Sequence, residues 1–400
     1  MIPLLMLLAL QARETIEIPG TKAKFDLVAL PGGKATVGSP AAEPGRKDDE
    51  AQREVTLQPF WLAAHEVTWK EFNAYRYGKD LDGVTRPTVA DNFFIDSIPD
   101  DFRTDPRPMT NARWHSAVMY CEWLSKKTGR YFRLPTETEW EYAARAGSAA
   151  AAPDPVNDYA WHKGNSKART HDAGELKANA LGLQDMIGNV WEYALEPYAF
   201  PDYSPVIRGG NWSSVPRELR FANRQTIPLK WFADDSNLPR SVWWLTSHEV
   251  SIGFRVACAT DAADTQEREA YASKFEIAFT SNEEKTLKSN NSPALYRTVR
   301  GTVKNAGNRA VDEIELKIFY LADGKPVWVD QSGSKPGRAV FSKVWPVLVN
   351  SALGGDVVKP LKPGETRSFS VDLPWCYDVE EAPDPKLVFG GKVTALRFSK

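Results

Sequence analysis

Residues able to do redox or metal chemistry are few and scattered along the chain. The three cysteines, Cys121, Cys258 and Cys376, lie far apart with no CxxC pair. That spacing excludes a zinc ribbon and a disulfide-dense scaffold, and leaves open one long-range disulfide. The five histidines, His65, His115, His162, His171 and His248, form no cluster at metal-ligand spacing. His65 precedes a strand-like Glu-Val-Thr and His115 starts a helix, so both read as structural or solvent-facing, whereas His162, His171 and His248 fall in loops that could offer polar contacts. Three alternate acids fall at Glu137, Glu139 and Glu141. Paired carboxylates can carry general acid/base catalysis, but Thr136-x-x-Glu139 is a capping box and acids near a helix N-terminus favour its dipole, so capping and salt bridges explain the same residues more simply.

Two helices must position these groups. Trp114, Ala117, Val118, Cys121 and Leu124 recur at helical spacing, and Gly129 ends the run. Cys121 thus sits on an apolar face, where a thiol pKa rises, and reads as a core thiol rather than a nucleophile. The second helix starts after Pro135 and closes at Gly147. From about residue 25 to 259 the chain holds eleven of its 14 tryptophans, with much Gly and Pro and few long periodic stretches, which predicts a loop-dominated fold plugged by aromatic side chains. Residues 260–268 are small, polar and charged and read as a linker. Beyond them, period-two runs such as Phe275–Phe279, Ile314–Tyr320 and Val393–Phe398 alternate with Asn305-Ala-Gly-Asn308, Asp323-Gly324 and Pro363-Gly364, so residues 266–400 are expected to form an all-β immunoglobulin-like sandwich.

The 50 basic residues against 52 acidic ones leave a net charge of −2, which supplies no electrostatic case for nucleic acid. The apolar start Met1–Leu10 is much shorter than the ~20 residues of a membrane-spanning helix. It reads as a signal-peptide core with cleavage near Ala12, giving a signal segment over 1–12 that lacks a basic leader, and hence a secreted or periplasmic protein that does not span the membrane.

Seven ordered motifs are more specific: Pro31-Gly-Gly-Lys-Ala-Thr-Val-Gly-Ser39, Phe60-Trp-Leu-Ala-Ala-His-Glu-Val-Thr68, Tyr120-Cys-Glu-Trp-Leu-Ser-Lys-Lys-Thr-Gly129, Arg133-Leu-Pro-Thr-Glu-Thr-Glu-Trp-Glu-Tyr-Ala-Ala-Arg-Ala-Gly147, Gly182-Leu-Gln-Asp-Met-Ile-Gly-Asn-Val-Trp-Glu192, Arg208-Gly-Gly-Asn-Trp212 and Gly253-Phe-Arg255. Together they closely resemble the formylglycine-generating enzyme, or sulfatase-modifying factor, family over most of residues 25–259. The resemblance implies an irregular, C-type-lectin-like α+β fold for the first domain, and does not reach the C-terminal sandwich.

Family members that oxidise a sulfatase cysteine bind copper(I) through two cysteines after the RGG(S/N)W strand. The first of those positions falls on Ser214, and the region of the second is shortened and cysteine-free. A hydroxyl is no substitute for a thiolate toward Cu(I), so the resemblance carries no copper and no formylglycine chemistry by that route. Iron-dependent sulfoxide synthases of the same family need three clustered histidines, which this chain lacks. Calcium is the cofactor the resemblance implies: the family's structural site falls on Asp185, Gly188, Val190 and Glu192, an oxygen donor set suited to that ion. A second family calcium site would begin at Asn165-Ser166, but its acidic loop is deleted before His171-Asp172. The edge where the family binds peptide carries Asn211, Trp212, Ser213, Ser214, Arg217, Arg220 and Arg224, beside the aromatic insertion Trp231–Trp244. Arginines and aromatics are favoured in recognition surfaces, although Arg220 and Arg224 suit buried ion pairs equally. These features point to a non-oxidase module whose cleft takes a peptide, glycan or small ligand; the alternative is an oxidoreductase or tailoring enzyme with altered, non-copper chemistry.

Overall fold

The structure, a computed structural model, describes residues 12–78, 98–111, 113–197, 205–226, 251–258, 265–288, 293–322, 325–326, 345–349, 361–374 and 388–398. The aromatic insertion, His248, Cys376 and the apolar start through Gln11 lie outside them. The architecture is mixed α/β, with several small sheets and few helices, and the chain divides into two compact units.

In the first unit the strands are β1 (Arg13–Glu17), β2 (Lys24–Leu30), β3 (Gly33–Val37), β4 (Arg53–Leu57), β5 (Phe60–Ala63), β6 (Phe132–Arg133), β7 (Trp191–Pro197), β8 (Pro205–Arg208), β9 (Arg224–Thr226), β10 (Ile252–Gly253) and β11 (Ala257–Cys258). One sheet has the order β1-β2-β5-β11-β6, a second β10-β7-β8-β9, and β3 pairs with β4. β1 joins the unit by antiparallel pairing to β2, so the unit takes in residues well before Phe25.

Helix α1 (Trp69–Arg76) begins at Thr68, whose side chain and that of Glu71 form a reciprocal capping box. Glu66-Val-Thr68 is extended, with Val67 bonded to Phe254 O and Met109 N–H and Thr68 bridged to Pro108, but it joins no longer strand. It leads from β5 into a helix, because Thr68 satisfies the helix's free N–H groups. Helix α2 (Trp114–Thr128) buries its predicted apolar face, Cys121 included, and stops at Gly129 with φ 69°. Helix α3 (Glu137–Arg145) carries the expected box at Thr136: Glu139 N–H donates to Thr136 Oγ1 at 3.1 Å, and Thr136 N–H donates to Glu139 Oε2 at 2.9 Å. Its end comes one residue early, at Ala146 with φ 47°, before Gly147 at φ 82°. Two left-handed residues in succession release the chain from the helix axis.

The predicted aromatic filling is present. Phe72, Tyr75, Tyr120 and Phe254 are all buried and meet in ring pairs 5.4–6.3 Å apart, a spacing that favours edge-to-face contact. Trp140 packs with Phe60, Leu62, Leu183, Met186 and Leu219 in the cluster beneath the five-stranded sheet's inner strands and α3.

The second unit is built of strands after one helix. Helix α4 (Thr265–Ala272) occupies the second half of the stretch expected as a linker. Tyr271 anchors it: its hydroxyl accepts from Arg309 N–H at 2.7 Å and donates to Arg309 O at 2.9 Å or to Asn305 Oδ1 at 3.1 Å. Strands β12 (Phe275–Lys288), β13 (Pro293–Asn305) and β17 (Thr366–Pro374) form one antiparallel sheet. In the other, β14 (Val311–Ala322) pairs with β15 (Lys325–Pro326), β16 (Trp345–Val349) and β18 (Val388–Phe398). Asn305 ties the predicted turns together, since its side-chain N–H groups donate to Arg309 O and Leu361 O while its own carbonyl accepts from Gly364 N–H. Among the described residues no helix is long and apolar enough to cross a membrane.

Candidate functional site

Two groups of charged residues organise the first unit, and the sequence motifs feed both. The first surrounds α3. Arg208, at the end of β8, is buried and donates to Glu141 at 2.7 Å and Glu137 at 3.1 Å, with further bonds to Phe221 O and Ala222 O. Arg145 donates to Glu141 at 2.8 Å, and Arg224 grips both oxygens of Glu137 at 2.6 and 2.8 Å. Arg133 forms a two-pronged bond with Glu139, both contacts 2.7 Å. Bidentate charge-assisted bonds of this kind fix orientation as well as charge. The three glutamates are thus the counter-ions that moor Arg133, Arg208 and Arg224 to the helix and pair with its own Arg145, so each carboxylate is held in an ion pair.

This network also decides the proposed binding edge. Arg220 is 5% exposed and holds Glu43 at 2.8 Å, Glu50 at 3.0 Å and Gly45 O at 2.8 Å. Ser214 is buried, donates to Asn211 Oδ1 at 3.1 Å and accepts from Asn211 N–H at 3.2 Å. Asn211, itself buried, also accepts from Ser213 N–H at 3.0 Å. Asn211, Ser214 and Arg220 are therefore buried members of the scaffold, and the half-buried Arg224 is tied to Glu137, because their side chains already bond to partners inside the fold. Of the seven, Arg217 is exposed and Trp212, Ser213 and Arg224 are half-buried, Arg224 with its guanidinium held by Glu137. The Ser214 hydroxyl falls on the position where the resemblance implies the first copper ligand and lies in a closed turn, and both described cysteines, Cys121 and Cys258, are buried.

The second group lies at the turn Gly182–Glu192 and draws in β5's exit and Arg255. Glu192 is 1% exposed. Arg255 Nε and Nη2 donate to its two oxygens at 2.6 Å each, and Trp140 Nε1 adds a third bond at 2.8 Å. Arg255 spends its remaining donors on Ala63 O at 3.1 Å and Gln184 O at 3.0 Å. Asp185 sits at φ 52°, takes one bond from Gly174 N–H at 2.6 Å through Oδ2, and has no partner for its buried Oδ1. Burial pushes its carboxyl up to about 6 against the opposing pull of that N–H bond and of Arg255. Glu66, absent from the sequence-based set, is fully buried and neither of its carboxylate oxygens has a partner. Burial pushes it well above the ordinary carboxylate value, and the charges of Asp185 and then Glu192 push it further. The readable signal was an acid in the largely apolar run Phe60–Val67, two residues before the one that caps a helix.

Gly188 shows why the turn needs glycine. It has φ 86°, and a Cβ there would stand 2.4 Å from Trp161 O. Its N–H donates to Gly209 O, and Asn189 N–H donates to Trp161 O, so the turn is braced against the Arg208-Gly-Gly strand exit. Val190 is buried beside it. An oxygen-rich interior with a bare aspartate oxygen fits a hard cation, but Glu192 does not fit the ligand role expected of it, since Arg255 and Trp140 occupy its carboxylate. Among the described residues no three His, Cys, Asp or Glu side chains converge in metal-ligating geometry. Asn165 Oδ1 accepts from His162 N–H and its side-chain amide donates to Ala160 O, so the side chain pins its own loop. His162 accepts from Gly164 N–H and contacts Asn157, and His171 stacks on Trp161 with ring centroids 3.7 Å apart.

A family model described as the sulfatase-modifying factor enzyme 1-like domain matches residues 15–236. A protein of Bos taurus named inactive C-alpha-formylglycine-generating enzyme 2 is 27% identical, over 52% of this chain and 83% of its own length. The chaperone protein LppX of Paenibacillus barcinonensis is 26% identical, over 48% of this chain and 81% of its own. For a serine/threonine-protein kinase, pkn1 of Chlamydia pneumoniae, the figures are 29%, 50% and 35%. Among solved structures, PvdO from Pseudomonas aeruginosa is 28% identical and covers 62% of this chain and 98% of its own, with a TM-score of 0.49.

Proposed function

The chain belongs to the sulfatase-modifying factor enzyme 1-like family, and from that premise we propose that it is a member without the oxidase chemistry: an exported module that binds a peptide, glycan or small ligand. The observation that carries this reading is Ser214. A hard hydroxyl stands where the chemistry needs a soft thiolate, and it is tied into the Asn211 turn. The relative named as inactive lends support from outside the chain. Trp212, Ser213 and Arg217 are the ligand-facing residues in this reading, since the other members of the edge serve the scaffold. A calcium ion stabilises the Asp185–Glu192 turn, supported by the bare Oδ1 of Asp185.

The second unit is, in this proposal, an immunoglobulin-like sandwich. Its support is the alternation along β13, where Val299, Gly301 and Val303 are buried while Arg300, Thr302 and Lys304 are partly exposed, together with two antiparallel sheets. The test is metal analysis of the purified full chain combined with turnover of a Cys-x-Pro-x-Arg peptide under air. Calcium without copper and an unmodified peptide is the expected result. Copper at one equivalent, or conversion of the cysteine, would replace the binding module with an enzyme of altered chemistry.

A further inference from the structure

The buried acids around the Gly182–Glu192 turn do not balance. Glu66, Asp185 and Glu192 bring three carboxylates into the interior, and Arg255 is the cation that acts on all three. Arg255 spends both its carboxylate-facing donors on Glu192. Glu66 is left with two bare oxygens at 0% exposure and Asp185 with one at 2%. An uncompensated buried carboxylate costs several kcal/mol, and a buried polar atom without a partner ordinarily marks a missing water or ion.

We infer that Glu66 and Asp185, and not Glu192, are the anionic ligands of the divalent cation at this turn, with Glu192 acting through Arg255 as the brace of the site. This rests on the calcium reading above and changes its ligand set. Fully ionised, the three acids and one guanidinium sum to a charge of −2, which one divalent ion cancels. Calcium needs six to eight oxygens, so two carboxylates would leave the rest of its shell to main-chain carbonyls and water. Glu66 is suited to the part by its place: the Thr68 cap fixes the chain two residues on, and β5 fixes it three residues before. The carboxylate is therefore presented by rigid backbone on both sides.

The test uses the full chain stripped with EGTA, with calcium affinity measured by calorimetry and melting temperature followed with and without CaCl2. Glu66→Gln and Asp185→Asn should each weaken calcium at least tenfold. Without calcium, Glu66→Gln should melt above the wild type, because a buried carboxyl that folding holds against its ionisation is gone; with calcium it should melt below, and a merely structural role would not produce that crossing. If wild-type protein binds calcium, Asp185→Asn weakens it and Glu66→Gln stays within twofold, the calcium reading stands and this inference falls. If the wild type binds none, both fall. Should Glu66→Gln not fold, Glu66→Asp keeps the charge but retracts the carboxylate, and an unchanged calcium affinity in that variant would overturn the assignment.

Discussion

Arg255→Met removes the guanidinium that acts on all three buried acids while keeping most of the side-chain volume. Arg255 is 0% exposed and makes four hydrogen bonds, two of 2.6 Å to Glu192 and two to the carbonyls of Ala63 and Gln184. Removing one partner of a buried ion pair costs about 3–5 kcal/mol, because the other charge stays behind undissolved. Here Glu192 keeps only the indole N–H of Trp140, and Glu66 and Asp185 lose the charge that opposes their burial. The upper end, about 5 kcal/mol, is therefore expected. In a unit of this size each kcal/mol moves the melting temperature by about 2–4 °C, so a fall of roughly 10–20 °C follows. Tryptophan fluorescence during thermal and urea unfolding, in EGTA at neutral pH, reads the first unit through its many indoles. The double variant Arg255→Met with Glu192→Leu should recover much of the loss, since two apolar side chains can replace a buried pair at little cost. A loss below about 1 kcal/mol for the single variant, or costs that simply add in the double, would refute the argument that this pair is the brace of the turn.

Gly188→Ala places a methyl 2.4 Å from Trp161 O at a φ of 86°, and should destabilise the first unit by more than 2 kcal/mol, on the order of a strained backbone plus an overpacked contact, measured by urea unfolding. His162 has its imidazole pKa lowered by burial, and its ring accepts the Gly164 N–H. The folded form binds fewer protons than the unfolded one, so stability should be lost as pH falls from the ordinary imidazole value near 6.5 through the lowered folded value; a His162→Asn variant whose stability declines just as steeply over that range would contradict this. Thr136→Ala should cost about 1 kcal/mol in the same unfolding assay through loss of the α3 cap. Ser214→Cys alone should bind no Cu(I) tightly in a chelator competition, since a single thiolate cannot supply the pair that a two-coordinate soft ion takes.

The elements were legible wherever a local rule decides the backbone. The capping box at Thr136 and the left-handed Gly129 fixed the limits of α3 and α2 because each satisfies helix-end groups that have no other partner. Period-two alternation located β12, β13, β14, β17 and β18, while the polar stretch at residues 265–268 misled because its helical state is secured from outside, by Tyr271 bonded across to Arg309 and Asn305. Composition near Thr265 held no trace of that contact.

The candidate site was legible in its residue types and misleading in its allegiances. A run of arginines after an Arg-Gly-Gly-Asn-Trp motif reads as a recognition edge only until the acids that meet them are located. Glu43, Glu50 and Glu137 lie 177, 170 and 87 positions from the arginines they hold, so no window of sequence could pair them. The same distance effect runs in reverse for Glu66. Its one local mark is an acid in a largely apolar run, and it becomes a candidate ligand because the long-range partner that would have neutralised it, Arg255, is already held by Glu192. Which acid is held by an arginine and which is left bare is therefore a property of the fold, set by where one guanidinium is spent. Changing the owner of that guanidinium, by Glu192→Gln for example, should loosen Arg255 toward Glu66 and weaken calcium without touching either proposed ligand.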